Sequence, residues 1–254
     1  MNIIIPQNFY AGLWALMLKD EHKKNLFIKP ASLINQEVES SGEDDIFLLP
    51  SLSVYKNKDL YVSQRFGLAF DGLLSNSYLY LRESVQSFDS ILLRGDVSIN
   101  EIFLSKILFL EKYDSDIEIK LDTSDKFDPE QNDYLIVGNE NIQADFVNRG
   151  ISFSDEINTL LNYPYVDFIL ASKSRESLEE FHASYDRLEE RLEDEIDLLL
   201  KKMKLEDSVS DFIKMNLNSL YFELTDNEIS ALNEMSRLPY YHGMTGEITE
   251  LKYV

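Results

Sequence analysis

The 254-residue chain contains no cysteine. That excludes disulfides, thiolate metal sites and a cysteine nucleophile. Positive charge is also scarce: 24 Lys and Arg stand against 46 Asp and Glu, a formal net charge of −22. The shortfall is uneven, with 7 basic and 9 acidic residues in positions 1–80 but 17 and 37 in positions 81–254. Such a surface repels nucleic acid and anionic membranes, so neither is expected as a partner. The excess acid reads as a solvated surface that serves solubility. Any anion site would have to be built locally, from a few cations, hydroxyls and helix N-termini. No apolar run approaches the ~18 residues of a membrane helix. The opening Met1-Asn2-Ile3-Ile4-Ile5-Pro6 has no basic stretch, and its apolar run is too short for a signal peptide, so a cytoplasmic protein is expected.

Familiar catalytic signatures are missing as well. There is no Gly-x-Gly-x-x-Gly, no P-loop and no Gly-x-Ser-x-Gly. His22, His182 and His242 lie far apart and lack metal-ligand spacing, so structural roles are expected. Asp122, Asp125 and Asp128 do not follow the order of a calcium loop and read as solvated. No metal and no cofactor are expected.

What is present is a foldable chain, 44% hydrophobic and 12% aromatic, with mean hydropathy −0.24. Its first two thirds alternate strand and helix. Strands are expected at Ile3–Ile5, Leu26–Ile28, Ile46–Leu49, Leu60–Val62, Phe66–Phe70, Ser77–Leu81, Ile91–Leu93, Ile117–Leu121, Tyr134–Val137 and Val166–Ala171. Helices are expected at Tyr10–Lys19, Ala31–Glu39 and 100–113, and after a cap at Ser154-Asp155-Glu156. Pro50-Ser51 opens a further short helix. Leu178, Phe181, Tyr185, Leu188, Leu192 and Leu199 form one heptad-like stripe, which predicts a helix over 175–202 packed on its own domain. Two more helices are expected at 207–220 and 225–237, the second opened by a Thr225–Glu228 capping box. Tyr240, Tyr241 and Tyr253 are expected to pack on the last helix.

Alternating strands and helices imply an α/β fold with mostly parallel sheets, here in two blocks followed by a helical C-terminal region. The chain crosses between the blocks twice, which defines two lobes. Residues 1–82 and 168–254 form one, residues 83–167 the other, and a ligand cleft is expected between them. Arg65, Arg82 and Arg94 sit near strand ends around that cleft, where one could clamp a carboxylate; a surface ion pair is the alternative for each. Ser51 lies at a strand-to-helix turn, where its hydroxyl could face the cleft or cap the turn. Asn8 can serve as N-cap of the helix that follows or present its amide to a ligand.

Several segments, in order, resemble the chorismate dehydratase family of menaquinone biosynthesis by the futalosine pathway. Ile5-Pro6-Gln7-Asn8 is similar to the family's opening Ser-Tyr-Leu-Asn, matching at Asn8. Asp45-Ile46-Phe47-Leu48-Leu49-Pro50-Ser51 is similar to its acidic-apolar strand ending in serine, and Leu60 to Gly72 to the stretch that follows. Asn76 or Ser77 takes the place of a hinge serine, with the register open by one. Tyr134 to Asn139 resembles a buried strand ending in Gly138 and an acid, here Asn139. Gly150 to Glu156 and Tyr163 to Phe168 continue the likeness. The family's Thr-Ser at the second-lobe helix is replaced by Asn100-Glu101, with Ser98 just before them as a substitute.

The resemblance implies a type II periplasmic-binding-protein-like fold. It also implies a carbon–oxygen lyase that dehydrates chorismate to 3-[(1-carboxyvinyl)oxy]benzoate. In that reading Asn8 and Ser77 assist the departing hydroxyl, and Ser51, Asn76, Ser98, Asn100, Gly138, Asn139 and Arg65 hold a chorismate-like carboxylate. The protein would be a monomer or homodimer. Two alternatives share the architecture: a non-catalytic receptor for a small carboxylate metabolite, and the sister enzyme that releases a naphthoate from a futalosine derivative.

Overall fold

The computed structural model describes residues 1–254 apart from 84–86, 125, 144 and 145. Buried Ile3–Pro6 (β1) starts the first sheet and runs into α1, Phe9–Met17. A short turn of helix, α2 (Asp20–Lys23), leads to the edge strand β2, Leu26–Lys29. Helix α3 (Ile34–Ser40) precedes β3 (Ile46–Pro50), which is fully buried, and a 3-10 helix at Ser51–Tyr55. Strand β4, Tyr61–Phe70, is the longest of the molecule's strands. Two strands were expected there, at Leu60–Val62 and Phe66–Phe70, separated by the polar Ser63-Gln64-Arg65. Those residues instead lie in one strand at an irregularity of its pairing, where the Ser63 hydroxyl accepts from the Arg65 and Phe66 amides.

The chain then enters the second sheet at β5, Ser77–Tyr80, and β6, Ser90–Gly95. Helix α4, Ile99–Tyr113, follows a complete capping box made by Ser98 and Glu101. Strands β7 (Glu118–Leu121) and β8 (Tyr134–Val137), helix α5 (Asn139–Gln143), strand β9 (Ile151–Ser152) and helix α6 (Phe153–Leu161) complete this lobe. The cap of α6 is Ser152, two residues before the expected one; Ser154 is buried and bonds Ser75 instead. Strand β10, Tyr165–Ser172, returns to the first sheet. The chain thus passes between the two sheets at 71–76 and 162–164.

The C-terminal region departs most from its expectation. The single helix over 175–202 is broken into α7 (Arg175–Ala183) and α8 (Leu192–Met203). Tyr185 is drawn aside to the start of α2, where its hydroxyl accepts from the Lys19 amide and meets His22 Nδ1. Beyond it, Glu189 and Glu223 exchange bonds with each other's backbone segments: Glu223 accepts from the Leu188 amide, and Glu189 from the Phe222 and Glu223 amides. These contacts bend the chain onto β11, Leu220–Glu223, an unexpected strand at the junction of the two helices expected at 207–220 and 225–237. Helix α9 accordingly stops at Asp207–Met215. Helix α10, Asp226–Met235, carries the expected Thr225–Glu228 capping box, and α11 (Leu238–Tyr241) and β12 (Lys252–Tyr253) end the chain. Tyr253 packs against α10, with its hydroxyl donating to Asn233 Oδ1.

The first sheet has strand order β11-β4-β10-β3-β1-β2, with β12 also on β4, and the second β7-β6-β8-β5-β9. Both are mixed rather than mostly parallel. The strands next to the crossings, β10 and β5, run antiparallel to their neighbours, while β1, β2 and β3 pair in parallel, as do β6, β7 and β8. A strand that enters from the other lobe has no crossover helix to turn it round. Among the described residues, no helix is long and apolar enough to cross a membrane.

Gly95 fixes the end of β6 where it faces the other lobe. Its φ is +96°, and a Cβ there would come within 2.1 Å of the Val137 carbonyl oxygen. Gly95→Ala is therefore expected to cost roughly 2–4 kcal/mol, from strain plus the displacement of β8. Equilibrium urea unfolding checks this; a loss below about 1 kcal/mol would mean that β6 and β8 yield easily at this point.

Candidate functional site between the lobes

The two lobes meet through side chains that the second lobe inserts into the first. Asp96, just past β6, accepts from the Ala31 amide (2.6 Å), the Ser32 amide (3.1 Å) and the Ser32 hydroxyl (2.9 Å) of the loop after β2. Asn100, in the first turn of α4, is fully buried. Its Oδ1 accepts from the Leu52 amide at 2.9 Å, and its Nδ2 donates to the Asp167 carbonyl at 2.7 Å, to Asp167 Oδ1 and to the Tyr165 hydroxyl. The backbone donors that the first lobe offers at these points are thus already occupied by the second lobe's own oxygens.

Behind Asn100 lies a pair of buried acids. Glu101 accepts from the Ser98 amide and hydroxyl and from the Ser77 hydroxyl. Asp167, on β10, accepts from the Tyr165 hydroxyl at 2.9 Å, and its Oδ2 has no hydrogen-bond partner. Burial pushes the Glu101 carboxyl above the usual range. Burial, and then the nearby Glu101 charge, push Asp167 well above it.

A cavity of about 280 Å³ opens at the rim of this interface. Its floor is the end of β1 and the start of α1 (Ile5 to Phe9, with Gly12 and Leu16), its sides are Ile28 of β2 and Asn139 of α5, and Leu199 and Met203 of α8 cover it. Asn8 belongs here because it caps α1: with extended backbone (φ −136°, ψ 166°) its Oδ1 accepts from the Ala11 amide at 2.8 Å. The cap fixes which amide atom remains. Asn8 Nδ2 is buried without a hydrogen-bond partner, and so is Asn139 Oδ1. The cavity is thus lined by an amide residue from each lobe, Asn8 from the first and Asn139 from the second.

Of the residues singled out from the sequence, Asn8 and Asn139 come together at this cavity. Gly138, with φ +81°, makes the turn that presents Asn139. Ser98, Asn100 and Ser77 form the buried network beside the cavity, and Ser77 gives its hydroxyl to Glu101. Asn76 is buried, and its carbonyl accepts from the Gly138 amide at 2.7 Å. Ser51 is buried and donates to the Val166 carbonyl. Arg65 lies away from the cavity, donating to the His182 and Asp186 carbonyls and covering the Phe66 ring. Arg82 pairs with Asp133, and Arg94 with Glu140 and Asp122. Asp122 is therefore held rather than solvated, and Arg94 and the Ser124 contacts keep its carboxyl below the usual range despite the opposing effect of burial; Asp125 lies outside the described residues. Among the described residues no grouping of three or more His, Asp or Glu is placed to hold a metal ion. Sequence reasoning did not find Asp96 or Asp167, which are single acids in an acid-rich chain. It read Leu199 as part of a packing stripe, and only the break after α7 turns that residue over the cavity.

No family model and no curated protein matches this chain. Solved structures do. The aliphatic sulphonate-binding protein SsuA from Escherichia coli superposes with a TM-score of 0.61, at 12% identity over 99% of this chain and 90% of that one. SsuA from Xanthomonas axonopodis pv. citri, bound to MOPS, gives 0.55 at 12% identity over 100% and 97%. Protein AF1704 from Archaeoglobus fulgidus gives 0.58 at 12% identity over 96% and 98%. The chain therefore has a two-lobed, periplasmic-binding-protein-like fold.

The acid pair makes a pH prediction. A carboxyl whose pKa is raised on folding stabilises the fold most below its unfolded pKa, and that contribution is lost as pH rises through the folded value. Asp167→Asn, which is neutral at every pH, should therefore be more stable than the parent at pH 8. Its advantage should shrink on acidification by up to about 1.4 kcal/mol per pH unit. Thermal melts of both proteins from pH 4.5 to 8.5 check this; parallel curves would show that Asp167 carries no perturbed proton.

Proposed function

We propose that the protein binds a small molecule in the cavity between its lobes, held by Asn8 from one lobe and Asn139 from the other. The observation that carries this reading is a concave site lined by an amide residue from each lobe, Asn8 and Asn139, within a mostly apolar surround. Small-molecule sites are typically such clefts, apolar with a few polar groups, and often lie where two lobes meet. The neighbours of the same fold that are named as binding proteins support the reading at the level of architecture.

The Asn8→Asp variant separates the two roles of this residue. Aspartate keeps the cap but places a carboxylate oxygen at a buried position, whereas Asn8→Ala should lose about 1 kcal/mol with the cap. Both variants should weaken binding, because neither keeps the amide that lines the cavity. The assay is a ligand-observed NMR screen of fragment-sized compounds, with Leu199→Trp as a filled-cavity control. If no fragment's signal depends on Leu199 or Asn8, the cavity is not a binding site.

Dehydration of chorismate is the second reading. It is supported by Asn8, which the family resemblance implies as a catalytic group, lining the cavity. Ser77 contributes less in this arrangement, since Glu101 takes its hydroxyl. Incubation with chorismate should then yield a product lighter by one water, at a rate abolished in both Asn8 variants. Unchanged chorismate beside active fragment binding would leave the receptor reading alone.

A further inference from the structure

Helix α8 covers the cavity with Leu199 and Met203, and a strap, residues 184–191, joins it to α7. At the near end of that strap stands His182, in the last turn of α7. Its Nε2 lies 2.8 Å from the Ser63 hydroxyl of β4. Ser63 is fully buried, and its oxygen already accepts from the Arg65 amide at 3.0 Å and the Phe66 amide at 2.9 Å. A hydroxyl has two lone pairs to offer and one proton to give. Both lone pairs are taken, so the hydroxyl donates and His182 Nε2 accepts. A neutral imidazole can do this. The charged form carries N–H on both nitrogens and would aim one of them at a saturated oxygen. The Arg65 guanidinium stands close by, donating to the His182 carbonyl at 3.1 Å and to the Asp186 carbonyl in the strap.

Burial, and then the Arg65 charge, hold the His182 imidazole below its ordinary value, against the pull of Glu179, which is itself paired with Arg175. Phe66 meets both His182 and Phe181, and His22 of α2 stacks on Phe181 at 5.4 Å with its Nδ1 2.7 Å from the Tyr185 hydroxyl. Burial lowers His22 too, with Glu21 opposing and Lys19 adding to the effect. Asp186, Arg187 and Glu190 of the strap are exposed, and Glu189 and Glu223 hold its far end. Burial pushes the Glu189 carboxyl up, so acid tightens that end, and the sign is the same for Glu101 and Asp167. A histidine lowered by burial acts the other way: its hold is complete above its free value and is lost as pH falls below it. We infer that His182 is an acid-sensitive latch on the cavity's cover. Neutral, it ties the end of α7 to β4 and keeps α8 in place; charged, it leaves Ser63 and lets the strap and α8 lift. Its use, the release of a bound molecule on acidification, rests on the binding reading above.

Hydrogen exchange of the ligand-free protein at pH 7.5 and pH 5.5, read by mass spectrometry and corrected for the intrinsic pH dependence of exchange, tests the inference. With an ordinary value of about 6.5 for the released ring, one latch gives about a tenfold rise in opening over that range. The amides of 184–203 are therefore expected to exchange about tenfold faster at the lower pH, and those of β1 and β3 are not. His182→Gln keeps an acceptor for Ser63 but does not titrate, and should abolish the rise. His22→Asn keeps an acceptor in place of Nδ1 and should retain it. Should His182→Gln fail to fold, nitrogen NMR of the parent decides: the His182 ring is expected to carry its proton on Nδ1 at pH 7.5 and to titrate below the ordinary value. A ring protonated on Nε2, or one titrating at the ordinary value, overturns the inference. So does a parent whose 184–203 amides ignore pH, a rise that persists in His182→Gln, or a rise lost in His22→Asn alone. With no ligand present, these outcomes leave the binding reading to the fragment screen, so the two fail separately.

Discussion

The arrangement of this molecule depends on Asn100. One side chain from the first turn of α4 joins the Leu52 amide of one lobe to Asp167 on the strand that returns to it. An amide suits this position because it both donates and accepts, and it serves a backbone N–H, a backbone carbonyl, a hydroxyl and a carboxyl at once. A carboxylate could not donate, and an aliphatic residue would leave the Leu52 amide and the Asp167 carbonyl without this partner. Asp96 repeats the device at the opposite rim with three bonds to the 31–32 turn. The lobes are thus held by lobe-to-lobe hydrogen bonds at the points where the first lobe offers free N–H groups, and the remaining cavity lies off to one side, under α8.

An architecture shared with binding proteins does not by itself set the character of a site. Fold is set by the alternation of buried strands and amphipathic helices, whereas the character of the site is set by a few residues at strand ends and helix starts. In this chain the second-lobe helix begins Ser98-Ile99-Asn100-Glu101. The serine and glutamate complete a capping box, and the asparagine turns outward to the other lobe. All three polar side chains are consumed by the protein itself.

The lobes were legible because their signals are local. Ile3–Pro6, Ile46–Pro50, Tyr134–Val137 and Tyr165–Ser172 are buried along their whole length, and such apolar runs mark internal strands in any context. The Thr225–Glu228 cap was legible for the same reason. The helical region after Ser174 was not, because its heptad-like stripe is genuine and yet interrupted. Leu178, Phe181, Tyr185, Leu188 and Leu192 are all buried, but Tyr185 and Glu189 are claimed by α2 and β11, which lie far away in sequence. The mixed sheets were missed because strand direction is decided by which lobe a strand enters from, and composition does not record this. At the site, Asn8 was legible as a cap and as a ligand group, and the geometry uses the two ends of its amide separately. Arg65 was chosen for its charge and is spent on carbonyls at the outer face.

The sealed acid on β10 has a further consequence for how the two halves move. Burial holds the Asp167 carboxyl well above the usual carboxylate range only while Asn100, Tyr165 and the surrounding side chains keep water out. Any parting of the halves that wetted it would return its acidity toward that of an ordinary aspartate. Separation of the halves would then be linked to proton binding at this one side chain, with a more acidic medium favouring the arrangement that encloses it.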